Sequence, residues 1–155
     1  MLTRIRRTQI AGSSTRITIV ASQYNARFVD GMLRHAKRVL RAAGVRKVRV
    51  IRVPGAFEIP VVVAKLVRSG NDPPDAVICL GVIVRGQTSH AQLIAESVTN
   101  SLAKLQVKYA LPIVHEVLLL ENIHQAKVRC LSRTHNRGAE AAATALAMAR
   151  LVRSL

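Results

Sequence analysis

The chain has 155 residues, of which 50% are hydrophobic, so it is long enough for one domain with a buried core and too apolar to be disordered. No apolar run reaches the length of a membrane span, and the basic N-terminus lacks the apolar segment of a signal peptide. We therefore expect a cytoplasmic protein with a basic arm at residues 1–15 and a single domain at residues 16–155.

The balance of charge is strongly basic, with 24 Lys and Arg residues against 8 Asp and Glu and a formal net charge of +16. Such a charge favours association with anions or polyanions, and a nucleic-acid-binding protein is one interpretation. Against it, aromatic residues make up only 3% of the chain and Trp is absent, so no base-stacking motif is seen. The densest basic group lies on one predicted helix and is also typical of a solvated helix face: Arg34, Lys37, Arg38 and Arg41.

Apolar patterns predict strands that alternate with helices. Continuous apolar runs predict the strands, and apolar residues three and four positions apart predict the helices. In chain order, the predicted elements are strand 16–22, helix 28–43, strand 48–53, helix 60–70, strand 76–84, helix 87–108, strand 112–120, helix 122–132 and helix 140–155. Cys79 lies within the third strand and is predicted to be in the core, and its spacing to Cys130 is not that of a metal or redox motif.

This order of elements implies right-handed crossovers and a parallel sheet with helices on both faces. The nearly continuous apolar strands fit that arrangement, because parallel strands are usually buried on both sides. In such sheets, ligands bind beyond the carboxyl ends of the strands. Three predicted strand ends are followed by loops with polar or small residues, which are SQYN (22–25), PGAFE (54–58) and RGQTSH (85–90).

The segment RGQTSH is the most informative of these loops. Gly86 would let a ligand approach the backbone, and Gln87, Thr88 and Ser89 are predicted to begin a helix whose free N–H groups suit an anion such as phosphate. His90 would then lie in the first turn and face the same crevice. An ordinary turn followed by a helix N-cap is the alternative interpretation of this segment alone.

Four motifs together resemble one known family. The segments IVASQYN, VPGAFEIP, GVIVRGQTSH and NRGAEAA occur in the order and spacing of lumazine synthases, and the resemblance extends from about Arg16 to the C-terminus. It implies a three-layer α/β/α sandwich around a four-stranded parallel sheet, as in flavodoxin. It also implies the condensation of 5-amino-6-(D-ribitylamino)uracil with 3,4-dihydroxy-2-butanone 4-phosphate to 6,7-dimethyl-8-ribityllumazine, the penultimate step of riboflavin biosynthesis, without a metal or organic cofactor.

The resemblance assigns roles by motif position. The residues matched to the pyrimidine and ribityl site are Tyr24, Asn25, Ala56, Phe57, Glu58, Val82, Ile83 and Val84. Gly86, Gln87 and Thr88 match the phosphate segment, and Arg129 matches a phosphate-binding arginine supplied by the neighbouring subunit. His90 matches the histidine that transfers protons, a role that suits imidazole near neutral pH.

Two residues depart from the family pattern. His115 stands where many members have a phenylalanine that closes the ring pocket from the neighbouring subunit, and a neutral imidazole could also stack there. Arg137 replaces the usual lysine before a glycine, which keeps the positive charge but changes its shape. Glu140 follows at the start of the last predicted helix and is expected to pair with a basic group there, so both residues are candidates for supporting the site.

The resemblance also implies an assembly. Members form pentamers with active sites between neighbours, and some form icosahedral shells of sixty chains; riboflavin synthase is a candidate partner. The segment CLSRTHNRG (130–138) carries no insertion of the kind that blocks shell contacts, whereas the charge of +16 per chain opposes close packing. Two alternatives stay open at this stage: a catalytically weak shell-forming or flavin-binding relative, and a polyanion-binding protein.

Overall fold

The computed structural model describes residues 14–155, so the predicted basic arm at residues 1–15 lies almost wholly outside the described residues. The elements are β1 (Arg16–Ser22), α1 (Ala26–Ala42), β2 (Lys47–Val53), a 3-10 turn (Ala56–Glu58), α2 (Ile59–Arg68), β3 (Ala76–Val84), α3 (His90–Tyr109), β4 (Ile113–Leu120), α4 (Ile123–Leu131) and α5 (Arg137–Ser154). Among these residues, no helix combines the length and apolarity that crossing a membrane requires.

The four strands form one parallel sheet in the order β2-β1-β3-β4. Helices α1, α4 and α5 pack together on one face, and α2 and α3 pack on the other. Each face therefore has its own apolar core, and the sheet lies between them. The α/β sandwich of three layers is confirmed, with the strand order of flavodoxin-like proteins.

The position of each strand in the sheet follows from its sequence. The central strand β3 is buried from Ala76 to Val82, and Cys79 has no exposed surface, as predicted for a core residue. The edge strand β2 instead exposes Lys47 and Arg49 between half-buried apolar residues. Charged side chains at a sheet edge disfavour unwanted pairing with other strands.

Two glycines allow the helices of the larger core to pack closely. A Cβ atom at Gly31 in α1 would lie 2.5 Å from the carbonyl oxygen of Cys130 at the end of α4. A Cβ atom at Gly138 in α5 would overlap the backbone of Met32 in α1. Helix α1 is therefore in contact with the end of α4 and the start of α5, and both contacts depend on the missing side chains.

The starts of all five described helices differ from the predicted ones by one to three residues, and those of α3 and α5 differ most. Helix α3 begins at His90, because residues 85–89 still cross from the sheet edge to the helix layer, and the Arg85 N–H donates to the Leu120 carbonyl. Helix α5 begins at Arg137, three residues before the predicted start, because the Asn136 side chain accepts hydrogen bonds from Gly138 N–H and caps the helix there. Helix α2 begins one residue before Pro60.

Replacement of Gly138 by alanine tests the close contact between α1 and α5. We expect Gly138→Ala to lower the free energy of unfolding by at least about 2 kcal/mol, since a new Cβ must displace backbone rather than a mobile side chain. Urea unfolding at one protein concentration measures it. Gly70→Ala is the control, because a Cβ at Gly70 meets no atom within 4 Å; equal effects of the two substitutions would contradict the contact.

Candidate active site

A crevice of about 810 Å³ opens at the carboxyl ends of the strands. Its walls come from the loop after β1, the 3-10 turn after β2, the end of β3, and the loop and first turns that lead into α3. The predicted site residues that line it are Tyr24, Asn25, Ala56, Phe57, Glu58, Val82, Ile83, Val84, Gly86, Thr88 and His90. Three separate loops thus meet in one cavity, as expected for this class of sheet.

One face of α3 extends the crevice beyond the residues predicted from the sequence. Leu93, Ile94 and Ser97 line the crevice with His90, and they follow it at three, four and seven positions. Residues at those spacings lie on one helix face. The helical periodicity could therefore have identified them, once His90 was placed at the helix start.

Two exposed aromatic rings stand at the crevice. Tyr24 is 72% exposed and Phe57 is 58% exposed. The chain has only two Tyr and two Phe residues, so half of its aromatic side chains lie at this opening. Burial of an aromatic ring is favourable, and a ring left in water at a concave surface is suited to stack on a planar ligand.

The loop that carries Tyr24 is fixed by polar contacts with its neighbours. Asn25 has a left-handed backbone conformation, with φ of 56°, and its side-chain amide donates to the Val82 carbonyl at 2.7 Å. The Tyr24 N–H donates to the Pro54 carbonyl at 3.0 Å. Asn25 therefore joins β1 to β3 at the site, in addition to lining the crevice.

Gly55 lies beneath the aromatic ring. A Cβ atom there would be 3.0 Å from Cδ2 of Tyr24 and 2.8 Å from a carboxylate oxygen of Glu58. A side chain at this position would push apart the two groups on either side of it. The glycine in the PGAFE segment therefore sets the distance between an aromatic surface and a carboxylate.

The loop from β3 to α3 brings Gly86, Thr88 and His90 to the crevice. Gly86 has open space around it, and the side chain of Ser89 does not cap α3. The His90 N–H donates to the Thr88 hydroxyl at 3.4 Å, at the edge of hydrogen-bond distance. The N–H groups at the start of a helix attract anions. The Arg85 guanidinium instead binds Glu121 and Gln92, at 3.0 Å and 2.9 Å.

Five predicted residues do not line the crevice of this single chain. Gln87 is exposed on the same loop, and Arg129 is exposed on α4. Arg137 and Glu140 lie at the start of α5 and pair with each other at 2.6 Å. His115 lies on β4 next to α3. The resemblance placed Arg129 and His115 in a neighbouring subunit's site, so their position outside this crevice agrees with that arrangement and leaves their roles as predictions.

The His115 imidazole is held as the neutral tautomer with a proton on Nε2. Its Nδ1 accepts the Val117 N–H at 3.3 Å, and its Nε2 lies 2.8 Å from the Thr99 hydroxyl, which itself donates to the Ala95 carbonyl. Nε2 must therefore carry the proton. Burial also lowers the pKa of His115, which favours the neutral ring.

The segment Asn136-Arg137-Gly138 joins α4 and β4 to the start of α5. The buried Asn136 side chain donates to the Cys130 carbonyl of α4 at 2.6 Å and accepts from the Gly138 N–H at 2.9 Å. The Arg137 guanidinium binds both carboxylate oxygens of Glu116 on β4, at 3.0 Å and 2.9 Å. Sequence reasoning missed Asn136 and Glu116.

Glu116 is a buried carboxyl group within an apolar strand, with 6% of its surface exposed. Burial raises its pKa to about 7, and the adjacent Arg137 guanidinium offsets only part of that effect. The groups that face it are Arg137 and Glu140 of α5 and Arg129 and Cys130 of α4. Its proton is therefore bound more tightly in the folded protein than in the unfolded chain.

The raised pKa of Glu116 predicts a defined dependence of stability on pH. Between pH 4.5 and about 7 the folded state holds a proton that the unfolded chain has lost, so this contribution to stability falls as pH rises. Relative to Glu116→Gln, the wild type should lose up to about 3 kcal/mol between pH 5 and pH 8. Urea unfolding of both proteins measures the difference. A relative gain in stability with rising pH would show that the pKa is lowered instead.

The chain was compared with known proteins. Residues 14–153 match the family model described as 6,7-dimethyl-8-ribityllumazine synthase. A protein of that name from Kineococcus radiotolerans is 41% identical over 140 residues, which cover 89% of this chain and 85% of the relative. Another of the same name, from Halorhodospira halophila, is 37% identical over 148 residues, which cover 94% of each chain. The sequence match, the fold and the crevice agree: the chain belongs to the 6,7-dimethyl-8-ribityllumazine synthase family.

Proposed function

We propose that the crevice condenses 5-amino-6-(D-ribitylamino)uracil with 3,4-dihydroxy-2-butanone 4-phosphate, giving 6,7-dimethyl-8-ribityllumazine, phosphate and water, in the cytoplasm. The observation that carries the proposal is that one crevice brings two kinds of surface together. Exposed Tyr24 and Phe57 line it, and so do His90 and the loop at Gly86. The pyrimidine substrate carries a planar ring, which suits the aromatic side chains. The butanone substrate carries a phosphate ester, which suits the loop before a helix N-terminus.

Each substrate is assigned to one part of the crevice. The pyrimidine stacks on Tyr24, with residues 82–84 along its edge, and the ribityl hydroxyls bind the backbone of residues 56–58 and the Glu58 carboxylate. The phosphate binds at residues 86–88, with Arg129 of an adjacent copy as its charged partner. Two substrates held side by side react faster because their encounter is no longer left to diffusion.

The reaction requires several proton transfers near neutral pH. The amine of the pyrimidine attacks the ketone and water leaves, then phosphate leaves and the ring closes with loss of water. His90 lies at the first position of α3 and lines the same crevice as Tyr24 and the loop at Gly86. Its imidazole can accept a proton from the amine and donate one to a departing oxygen.

Replacement of His90 tests this role. We expect His90→Ala to lower kcat by about tenfold or more, since general acid–base catalysis typically contributes about 10²–10⁴-fold. The product is followed by its absorbance and fluorescence after both substrates are mixed with wild type or variant. His124→Ala is the control, because His124 is exposed on α4 and does not line the crevice. A kcat unchanged in His90→Ala would remove the histidine from the mechanism, and a wild type without product would refute the function.

The proposed unit of activity is a pentamer whose sites lie between neighbours. It is supported by the position of Arg129, which is exposed on α4 and outside the crevice of its own chain. The connection from α4 to α5 is short, at residues 132–136, which favours closed shells of about sixty chains that could hold riboflavin synthase. Phosphate or sulfate should promote the shell, because the charge of +16 on each chain must be screened.

Mixed assemblies test the shared site. We expect native mass spectrometry to show pentamers, with larger closed shells in phosphate. His90→Ala and Arg129→Ala pentamers should each be weakly active, and subunit exchange between them should restore activity at the sites that receive both wild-type residues. Unmixed pentamers of each variant are the control. A failure to recover activity in verified mixed pentamers, or a stable active monomer, would contradict the shared site.

The outer face of α1 supports a second property, which is association with polyanions such as nucleic acid. All eight acidic residues lie within residues 14–155, and ion pairs there engage Asp30, Asp72, Asp75, Glu116, Glu121 and Glu140. Within that described part of the chain, none of these pairs includes the exposed residues Arg34, Lys37, Arg38 and Arg41 of α1. Their charge is therefore available to an external anion.

Charge reversal tests the face of α1. We expect Arg38→Glu/Arg41→Glu to weaken binding of a labelled single-stranded oligonucleotide by about tenfold or more at low salt, as measured by fluorescence anisotropy, and to reduce the dependence on salt. Lys65→Glu/Lys104→Glu changes the net charge equally at exposed positions of α2 and α3 and is the matched control. Equal losses in both variants would show a response to net charge alone.

A further inference from the structure

Each nitrogen of the Arg137 guanidinium donates to a carboxylate of its own chain. Its Nε and one terminal nitrogen donate to the two oxygens of Glu116, at 3.0 Å and 2.9 Å. Its other terminal nitrogen donates to Glu140 at 2.6 Å. The side chain of Glu116 is 8% exposed and that of Arg137 is 22% exposed. An arginine held in this way presents little of its charge to a substrate.

Arg129 acts electrostatically on the same carboxylate without a hydrogen bond or ion pair to it. The charge of Arg129 favours the ionised form of Glu116, which places the two groups within electrostatic reach of each other. Among residues 14–155, no hydrogen bond or ion pair joins Arg129 to a carboxylate. Arg129 precedes Cys130, whose carbonyl is bound by Asn136. The end of α4 is therefore attached to the start of α5, where Arg137 lies.

We propose that Arg137 is a positioning residue: by holding both oxygens of Glu116, it prevents that carboxylate from pairing with Arg129, which stays available for the substrate phosphate. This inference rests on the proposed function, because it concerns the phosphate site of that reaction. A guanidinium suits the task, since its planar shape satisfies two carboxylate oxygens at once and a lysine ammonium does not.

Direct binding of the substrate by Arg137 is the competing explanation, and a double-mutant comparison separates the two. In Arg137→Met, Glu116 loses the partner that lowers its pKa, so it ionises at pH 8 by pairing with Arg129 instead and withdraws Arg129 from the phosphate. At pH 8, the KM for the butanone phosphate should rise about tenfold or more relative to wild type, as expected for loss of a hydrogen bond between charged groups. The KM for the pyrimidine should change by less than about twofold, since the stacking surface is untouched.

Removal of the competing carboxylate should restore phosphate binding. In Arg137→Met/Glu116→Gln, the KM for the butanone phosphate should return to within about threefold of the wild-type value, because a neutral amide does not attract Arg129. Arg137→Met/Glu140→Gln is the matched control and should not recover. At pH 6, Glu116 of the single variant takes up a proton and its KM should approach that of wild type measured at the same pH.

The outcomes decide between the explanations. If the KM for the butanone phosphate stays raised in Arg137→Met/Glu116→Gln, and in Arg137→Met at pH 6, the inference is wrong and Arg137 is a substrate ligand. An unchanged KM in Arg137→Met would overturn the inference as well. If Arg137→Met does not fold, Arg137→Lys should show the same pattern with a smaller rise in KM. A wild type without product refutes the proposed function instead. Calorimetric titration of the same variants with inorganic phosphate would then test the inference. Wild type and Arg137→Met/Glu116→Gln should bind phosphate more tightly than Arg137→Met.

Discussion

The parallel pairing of β3 with β1 on one side and β4 on the other determines where the loops that form the crevice lie. In a parallel sheet, all strands end at the same edge, so the loops after β1, β2 and β3 meet although they are far apart in the chain. The Asn25 amide then binds the Val82 carbonyl across that edge, and Gly55 lets Tyr24 and Glu58 approach each other. The crevice is a consequence of strand order and a few short contacts.

The second organising feature is the junction at the start of α5. Asn136 attaches α4, Arg137 attaches β4 through Glu116, and Gly138 allows contact with α1. This junction lies on the opposite face of the sheet from α3, whose first residue is His90. The crevice and the surface around Arg129 are therefore separate regions of one chain, and in the function that we propose they meet between different copies.

Much of the crevice could be predicted from the sequence, because its residues occupy short segments directly after apolar runs. Tyr24, the PGAFE segment and His90 could be placed at strand ends by the alternation of elements alone. The resemblance to a family added the role of each residue. Local patterns also located the helices and strands, with errors at the starts of α3 and α5, where loop geometry and the Asn136 cap decide the boundary.

The junction was harder to predict because its contacts are long-range. Glu116 lies inside an apolar run, and nothing in that run indicates whether its carboxyl group is buried or what binds it. Its partner Arg137 follows 21 residues later on another element. The pairing is visible only when β4 and α5 are placed together. For the same reason, the sequence assigned Arg137 and Glu140 to a supporting role without identifying the carboxylate that they surround.

The most direct test of the shared site is an experimental structure of the assembled protein with inorganic phosphate. The anion should lie at residues 86–88 of one copy and contact the Arg129 guanidinium of an adjacent copy, with His115 of that copy facing the ring of Tyr24. Phosphate bound at residues 86–88 without an arginine from a neighbouring copy, or an assembly in which Arg129 lies far from every crevice, would contradict this arrangement.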